Sequence, residues 1–211
     1  MGLGFYFDNV RCTGCRTCMM ACMDYHDLPL GRKYRRVIDF EGGTTSTTDD
    51  GTFVSSAYVY HVSLSCNHCA QPACMQVCPT GAMHKDENGL VVVGTDRCIG
   101  CGYCTIACPY HAPSIDPQLK QSSKCDGCTL RVSQGKLPMC VEACPLRALE
   151  FGPIEELGQS HPGCKGEVSP LPSQEYTSPS LLIRASEDAD LARREPGFIS
   201  DEQAIENNYQ G

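Results

Sequence analysis

The chain has no tryptophan, and aromatic residues make up only 7% of its 211 residues. Basic residues are also few, with 17 Lys and Arg against 25 Asp and Glu and a formal net charge of -8 at pH 7. Proteins that bind nucleic acids need basic patches and, for single strands, aromatic side chains on which bases stack. We therefore expect no nucleic-acid partner.

Long apolar runs are missing as well. No segment approaches the roughly 20 apolar residues of a transmembrane helix, so we expect no membrane span in this chain. Residues 1–4 lead into a strand-like Phe5-Tyr6-Phe7 rather than into a signal peptide. The chain also lacks the G-x-S-x-G, phosphate-loop, H-E-x-x-H and G-x-G-x-x-G motifs. We expect it to catalyse no reaction by itself.

Cysteine, in contrast, is abundant, and sixteen of the 17 cysteines form four groups of four. We call them quartets one to four in chain order. Each ends in C-x-x-x-C, and quartets two, three and four continue with proline, as in the bacterial ferredoxin run. In that run the fourth cysteine binds the other cluster of a pair. The pattern predicts four iron–sulfur clusters, built by quartets that work in twos. The quartets are Cys12, Cys15, Cys18 and Cys22; Cys66, Cys69, Cys74 and Cys78; Cys98, Cys101, Cys104 and Cys108; and Cys125, Cys128, Cys140 and Cys144.

Two other uses of cysteine fit the spacing less well. A disulfide scaffold of this cysteine density is usually shorter than about 100 residues, and a chain of 211 residues can bury a core without it. Zinc sites commonly pair two C-x-x-C hooks across a loop, and only residues 125–144 approach that layout. Cys164 stands alone, and we interpret it as a spare thiol.

Short repeated segments after the cysteine–proline ends predict an α+β fold of two ferredoxin-like modules with short hairpins and short helices. Residues 81–93 contain a turn between two apolar segments, which predicts a hairpin. Residues 146–151 follow quartet four in the same way, and we expect residues 5–8 to pair with them. Alternating residues at 58–64 predict another strand, whereas residues 39–51, rich in Gly, Thr and Asp, are expected to form a loop.

These segments divide the chain into three parts. The first module comprises residues 1–64 and 109–157, and the second, residues 65–108, is inserted into it. Residues 158–211 form an extended C-terminal tail that is rich in Pro, Ser, Glu and Gln and can bury little of itself. Its apolar segments, Leu181-Leu182-Ile183 and Phe198-Ile199, are expected to lie on a partner chain; a disordered end is the alternative.

Other residue types accompany the cysteines. Glycines inside the hooks let the backbone wrap closely around a cluster. Basic residues beside the hooks are surface charges or tune a cluster, because a nearby cation raises a reduction potential. Histidines next to cysteines are interpreted as hydrogen-bond donors to the cluster rather than as ligands, since the cysteines already fill every ligand position. The residues are Gly14, Gly100, Gly102 and Gly127; Arg11, Arg16, Arg97 and Lys124; and His68 and His111.

The quartets and the residues around them resemble the iron–sulfur subunit of the dimethyl sulfoxide reductase family of molybdopterin oxidoreductases. The resemblance covers residues 5–157 and is weak in the tail. It is carried by Arg11-Cys12-Thr13-Gly14-Cys15, Ser65-Cys66-Asn67-His68-Cys69, Gly81-Ala82-Met83-His84-Lys85, Cys98-Ile99-Gly100-Cys101, Lys124-Cys125-Asp126-Gly127-Cys128, and residues 144–154.

The resemblance implies which cysteines share a cluster. Nitrate reductase relatives have tryptophan where this chain has Cys101 and hold a three-iron cluster there, so Cys101 implies a fourth four-iron cluster and argues against that group. The implied ligand sets are Cys12, Cys15, Cys18 and Cys144 (set 1); Cys22, Cys125, Cys128 and Cys140 (set 2); Cys66, Cys69, Cys74 and Cys108 (set 3); and Cys78, Cys98, Cys101 and Cys104 (set 4).

The resemblance also implies partners. A large catalytic subunit would hold a molybdenum or tungsten bis-pterin cofactor, and a membrane anchor would exchange electrons with quinol. The complex would lie at the outer face of the cytoplasmic membrane through its partners, and a cytoplasmic location stays open. Related reductases of polysulfide, thiosulfate, selenate or aromatic hydroxyl groups are alternatives for the substrate. A free-standing polyferredoxin that shuttles electrons between soluble enzymes is the alternative of a different class.

Overall fold

The computed structural model describes residues 2–194 and 196–200 as short strands joined to short helices, which confirms the α+β class. The longest described helix has 9 residues, and no helix in this part of the chain has the length and apolarity needed to cross a membrane. The strands are β1 (Leu3–Asp8), β2 (Arg36–Gly42), β3 (Thr45–Thr47), β4 (Phe53–Ser55), β5 (Tyr58–Leu64), β6 (Met83–Lys85), β7 (Val91–Val93), β8 (Ser114–Ile115), β9 (Ser122–Ser123), β10 (Leu149–Pro153), β11 (Leu181–Arg184) and β12 (Gly197–Ile199). The helices are α1 (Thr17–Tyr25), α2 (Ala73–Gln76), α3 (Tyr103–Ala107), α4 (Thr129–Ser133), α5 (Met139–Glu142), α6 (Ile154–Ser160) and α7 (Glu187–Leu191), with a 3-10 helix at Gln174–Tyr176.

The N-terminal strand lies at the centre of a three-stranded sheet with the order β10-β1-β11. Strand β10 pairs antiparallel with β1 and places Phe151 opposite Phe5, which confirms the predicted pairing of the segments before quartet one and after quartet four. Phe5 and Phe7 are almost fully buried and belong to the main core. This sheet therefore joins the two parts of the chain that carry quartets one and four.

Two segments of the described part of the tail pack on their own chain, which corrects the prediction that the tail buries little of itself. Strand β11 pairs parallel with β1, with Leu181 opposite Phe5, and both Leu181 and Ile183 are buried. A Cβ at Gly4 would lie 2.5 Å from the Ser180 carbonyl oxygen, so the close approach of the tail requires glycine there. The partner-chain expectation for residues 181–183 is wrong, because the free edge of β1 supplies backbone hydrogen bonds within the chain. Tail residues 195 and 201–211 lie outside the described residues.

A second three-stranded sheet has the order β12-β2-β5. Strand β5 confirms the predicted strand at 58–64, but the predicted loop at 39–51 is wrong, because β2 continues to Gly42 and β3 pairs with β4. The Gly, Thr and Asp content of this segment favours a loop, but the pairing of β2 with β5 outweighs this local propensity. The side chains of Ile38 and Phe40 on β2 are buried. Strand β12 pairs with β2 and places Ile199 opposite Phe40, so this tail segment also contacts its own chain, while Phe198 stays exposed.

The predicted hairpin after quartet two is confirmed. Strands β6 and β7 pair antiparallel, with Met83 opposite Val93. The carboxylate of Asp86 accepts hydrogen bonds from the N–H groups of Asn88 and Leu90 at 3.0 and 2.8 Å, which fixes the turn. The hairpin thus stands directly after the cysteine–proline end, where the sequence places it.

The short helices pack in two pairs, α1 against α5 and α2 against α3. Helices α1 and α5 carry cysteines of quartets one and four, and α2 and α3 carry cysteines of quartets two and three. One large core includes cysteines of all four quartets, and a smaller one joins Cys74 and Cys104 to Met83 and Val91. The domain boundaries at 64/65, 108/109 and 157/158 stay a prediction.

Candidate metal centres

Quartet one illustrates how a hook is built. Gly14, between its first two cysteines, has a φ of 65°, and a Cβ there would lie 2.6 Å from the His61 ring. Arg16, also left-handed with a φ of 60°, precedes α1. The helix buries Cys18 and Cys22. Because a helix rises about 1.5 Å per residue, Cys22 lies roughly 6 Å farther along the helix axis than Cys18. The hook and the helix therefore present their cysteines to two different places.

Two cavities are each lined by four cysteines that come from two quartets. One is lined by Cys12, Cys15, Cys18 and Cys144, the members of set 1. The other is lined by Cys78, Cys98, Cys101 and Cys104, the members of set 4. The structure thus brings together the cysteines that the cross-ligation pattern groups in these two sets.

The cysteines of set 2 lie within electrostatic reach of one another. Burial raises the pKa of the Cys22 thiol to about 12, and the neighbouring Cys140 and Cys128 add to the rise. Burial also raises the pKa of Cys125 well above its ordinary value, with Cys22 and Cys140 among the further causes. All four members are buried.

Set 3 is assembled in the same way. Burial raises the pKa of the Cys74 thiol to about 12, and Cys66, Cys108 and Cys69 add to the rise. All four members are buried, and Cys66 also acts on Cys125 of set 2. Buried thiols with raised pKa values become thiolates when a metal displaces their protons, and soft thiolates are the ligands of iron–sulfur clusters.

Backbone N–H groups point at sulfur atoms in three of the sets. The N–H groups of Met83 and Ser122 donate to Cys78 and Cys98 in set 4, at 3.4 and 3.3 Å. Gly127 and Ala148 donate in the same way to Cys125 in set 2, at 3.4 Å, and to Cys144 in set 1, at 3.3 Å. Hydrogen bonds to ligand sulfurs are a property of iron–sulfur sites that sets their potential. The residues present therefore fit such clusters.

His68 is buried between two quartets. Its Nδ1 accepts a hydrogen bond from the Val91 N–H at 3.0 Å, so the ring proton is on Nε2, which lies 3.9 Å from the Cys125 sulfur. Burial, with the charge of Lys124 next, holds the pKa of His68 well below its ordinary value. The ring is thus a neutral donor toward Cys125, a cysteine of another quartet. His111 is half-buried with a φ of 49°, and burial lowers its pKa.

The basic residues named from the sequence differ in burial. The side chains of Arg11 and Arg97 are about half exposed, and Arg16 forms an ion pair with Asp39 at 2.6 Å. Lys124 is buried, and its ammonium group donates to the carbonyls of Val91 and Cys125. Only Lys124 of these four is therefore an internal cation.

Sequence reasoning missed three residues near the cysteines. Arg35 and Arg36 are buried, and no sequence signal distinguishes them from a charged surface pair at the start of a strand. The third, His26, lies with its Nε2 3.6 Å from the Cys128 sulfur, and its distance from quartet four in the sequence concealed it. Cys164 lies apart from the four sets, half-buried near Asp8, and its role as a spare thiol stays a prediction.

Comparisons with known proteins support iron–sulfur clusters as the groups that these cysteines bind. Two family models, each described as a 4Fe-4S dicluster domain, match residues 11–82 and 57–154. The protein is 47% identical over 202 residues to the B chain of the anaerobic dimethyl sulfoxide reductase of Haemophilus influenzae, covering 96% of this sequence and 98% of that one. The corresponding B chain of Escherichia coli K12 is 46% identical over the same length and with the same coverage. The thiosulfate reductase electron transfer subunit PhsB of Salmonella typhi is 40% identical over 152 residues, which are 71% of this sequence and 74% of that one.

These matches confirm the two ferredoxin-like dicluster domains and correct one expectation. The expectation that the match ends near residue 157 is wrong, because the alignments with the two reductase B chains extend over 96% of this sequence and therefore include most of the tail. Strands β11 and β12 of the tail pair with β1 and β2, so these tail segments are part of the fold of this protein. The relatives are named as B chains or as an electron transfer subunit, which agrees with a non-catalytic role. The protein therefore belongs to the family of 4Fe-4S dicluster proteins that includes the B chains of anaerobic dimethyl sulfoxide reductases.

Proposed function

We propose that the protein holds four [4Fe-4S] clusters, one on each of sets 1 to 4. The support is the grouping of thiols from two quartets in each set, together with the N–H groups directed at their sulfurs. A four-iron cluster stores and passes single electrons, and it makes no bond to a substrate. The protein's own part is to hold the clusters in order and to set their potentials.

The observation that carries a wire-like role is the exposure of the two end sets. Cys15 of set 1 and Cys101 of set 4 are exposed, whereas sets 2 and 3 contain only buried cysteines. Electrostatic interactions between cysteines of different sets support a linear order of the sets, since Cys140 of set 2 acts on Cys18 of set 1 and Cys66 of set 3 acts on Cys125 of set 2. Set 4 follows set 3 in this order, because Cys104 of set 4 and Cys74 of set 3 share the smaller core. Electrons entering at one exposed end would cross two buried sets to leave at the other.

The partners in this proposal are a large catalytic subunit with a molybdenum or tungsten bis-pterin cofactor and a membrane anchor linked to quinol. The names of the relatives support them, since these are B chains of dimethyl sulfoxide reductases and a thiosulfate reductase electron transfer subunit. In this arrangement set 1 faces the pterin subunit and set 4 faces the quinol side. The complex would be bound through its partners to the outer face of the cytoplasmic membrane.

Purification of the protein from its own cells, without oxygen and under mild detergent, tests the partners. We expect a large pterin-containing subunit to copurify with it in the membrane fraction. Recovery of the protein as a soluble monomer would instead support the free-standing polyferredoxin. Protease treatment of right-side-out and inverted vesicles then tests the face, and we expect digestion only in the former.

The Cys101→Ser complex tests the direction. We expect loss of quinol-driven turnover, because the outermost set is damaged, while a small reduced dye that reaches the pterin subunit directly still supports turnover. Equal loss of both activities, with the pterin cofactor intact, would show that the assigned order of sets is wrong.

A further inference from the structure

Arg35 is a buried cation immediately before β2, with only 2% of its surface exposed. Among the residues that the structure describes, no carboxylate forms an ion pair with it. A buried charge is costly unless something of the opposite sign compensates it. The surroundings of Arg35 therefore need another source of negative charge.

The guanidinium group is held in one position. Its Nη1 donates to the hydroxyl of Ser63 at 3.0 Å, and its Nη2 donates to the hydroxyl of Ser65 at 3.0 Å. Its carbon lies 4.9 Å from the centre of the Phe5 ring, a cation–π contact. Its Nε is buried without a hydrogen-bond partner among the described residues. These contacts are neutral, so they orient the cation without compensating its charge.

The cysteines of sets 1 and 2 are the groups near Arg35 that carry negative charge once they are thiolate ligands of a cluster. Burial lowers the pKa of Arg35, but Cys140, Cys18 and Cys125 more than reverse this effect and raise the pKa above its ordinary value. A hydrogen-bonded path also leads to set 1, because the Ser63 hydroxyl that accepts from Arg35 lies 3.4 Å from the Cys18 sulfur. When Cys18 is a thiolate ligand, this hydroxyl donates to it.

Set 4 has a different environment. The charges that act on Cys104 are those of Cys101 and Cys98, both of its own set. Arg97 beside it is about half exposed, so water screens its charge. Arg32, which is mostly buried, donates to the Ser123 hydroxyl near set 4, but its charge is compensated by an ion pair with Asp116 at 2.5 Å. The other buried cations of the described residues, Arg36 and Lys124, act on Cys108 and Cys74 of set 3.

We propose that Arg35 is a positioning residue for electron transfer: a fixed internal cation that raises the reduction potentials of the clusters on sets 1 and 2 relative to the cluster on set 4. The inference rests on the proposed function, because it requires clusters on these sets. Reduction adds one electron to a cluster without forming or breaking a bond, and a fixed positive charge nearby stabilises the added negative charge. Electrons that enter at set 4 would then run toward the sets of higher potential.

Redox titration of the anaerobically prepared holoprotein, with dithionite as reductant and paramagnetic resonance as readout, tests this. Arg35→Gln is expected to lower the equilibrium constants for reduction of the clusters on sets 1 and 2 at least tenfold, which is about 59 mV for a one-electron couple. The equilibrium constant for reduction of the cluster on set 4 should change less than threefold. Arg35→Lys keeps the charge, so the equilibrium constants for reduction should stay within threefold of those of the unchanged protein.

Arg11→Gln is the matched control, because it removes the same charge next to Cys12 of set 1 but from a half-exposed side chain. We expect the equilibrium constant for reduction to change less than threefold at every cluster in this variant. An Arg35→Gln protein with full iron and unchanged potentials would overturn the inference, and so would an equal shift at all four clusters. Unchanged protein that lacks four clusters would instead refute the proposed function.

A second variant covers the case in which Arg35→Gln does not fold. Ser63→Ala keeps the cation and removes the hydroxyl between Arg35 and Cys18. This variant should lower the equilibrium constant for reduction of the cluster on set 1 severalfold, and the constants for the clusters on sets 2 and 4 should stay unchanged. No selective effect on set 1 would then refute the path from Arg35.

Discussion

The hook of quartet three contains two glycines that allow a controlled test of how the backbone shapes set 4. Gly100 and Gly102, on either side of Cys101, both have left-handed backbone angles, with φ of 67° and 79°. A Cβ at Gly100 would lie 2.0 Å from the Lys120 carbonyl oxygen, whereas a Cβ at Gly102 would meet nothing within 4 Å. Alanine therefore strains the backbone at both positions but clashes at only one.

The magnitudes follow from these two effects. A left-handed angle costs a residue with a Cβ roughly 1–2 kcal/mol, so Gly102→Ala should lower the free energy of unfolding by that amount. Gly100→Ala carries the same cost and adds a backbone clash of the overpacking kind, worth about 1–3 kcal/mol. Since 1 kcal/mol shifts the melting temperature of a protein this long by about 2–4 °C, the two variants should differ by roughly 2–12 °C.

The assay is thermal unfolding of both variants, purified without oxygen and scanned at one rate, with iron released at each temperature measured in parallel. We expect Gly100→Ala to unfold first and to lose the iron of set 4 before that of the other sets. Equal melting temperatures for the two variants would refute the argument, because only the contact with Lys120 distinguishes them.

Further predictions concern other contacts of the fold and the fourth cluster. Asp39→Asn should destabilise the protein by about 1–3 kcal/mol in thermal unfolding, because it neutralises the acceptor in the 2.6 Å ion pair with Arg16 beside the first hook. An unchanged melting temperature would contradict this. Ile183→Ala should cost about 2–5 kcal/mol because the side chain is buried, while Phe198→Ala, exposed on β12, should cost less than about 1 kcal/mol. A loss for Ile183→Ala as small as that for Phe198→Ala would show that the packing of β11 does not stabilise the fold. Cys101→Ser should convert one cluster to a three-iron form, seen as a new resonance signal of the oxidised protein while the other three clusters persist.

The sequence predicted the parts of the site in which chemistry dictates residue type and spacing. Four cysteines per cluster and a short helix after each hook leave few alternatives, and the helix pairs α1 with α5 and α2 with α3 follow the predicted pairing of quartets. The pairing of Phe5 with Phe151 was also predictable, because the flanking segments resemble a repeated unit.

The sequence did not predict features that depend on distant partners. Residues 39–42 are a strand only because β5 lies beside them, and the polar composition of the segment gives no sign of this pairing. Leu181 and Ile183 of the tail are buried only because β11 pairs with a free edge of β1. Arg35 is an internal cation only because Phe5 and two serines from β5 and its end enclose it. In each case the deciding contact is long-range, and local patterning does not encode it.

The most direct test of the four-cluster proposal is the iron content and electron count of the anaerobically purified protein. Four four-iron clusters require about sixteen irons per molecule and a reductive titration that ends at about four electrons. We expect both values, with no zinc bound. About eight irons, two electrons and zinc in the remaining sets would contradict the account.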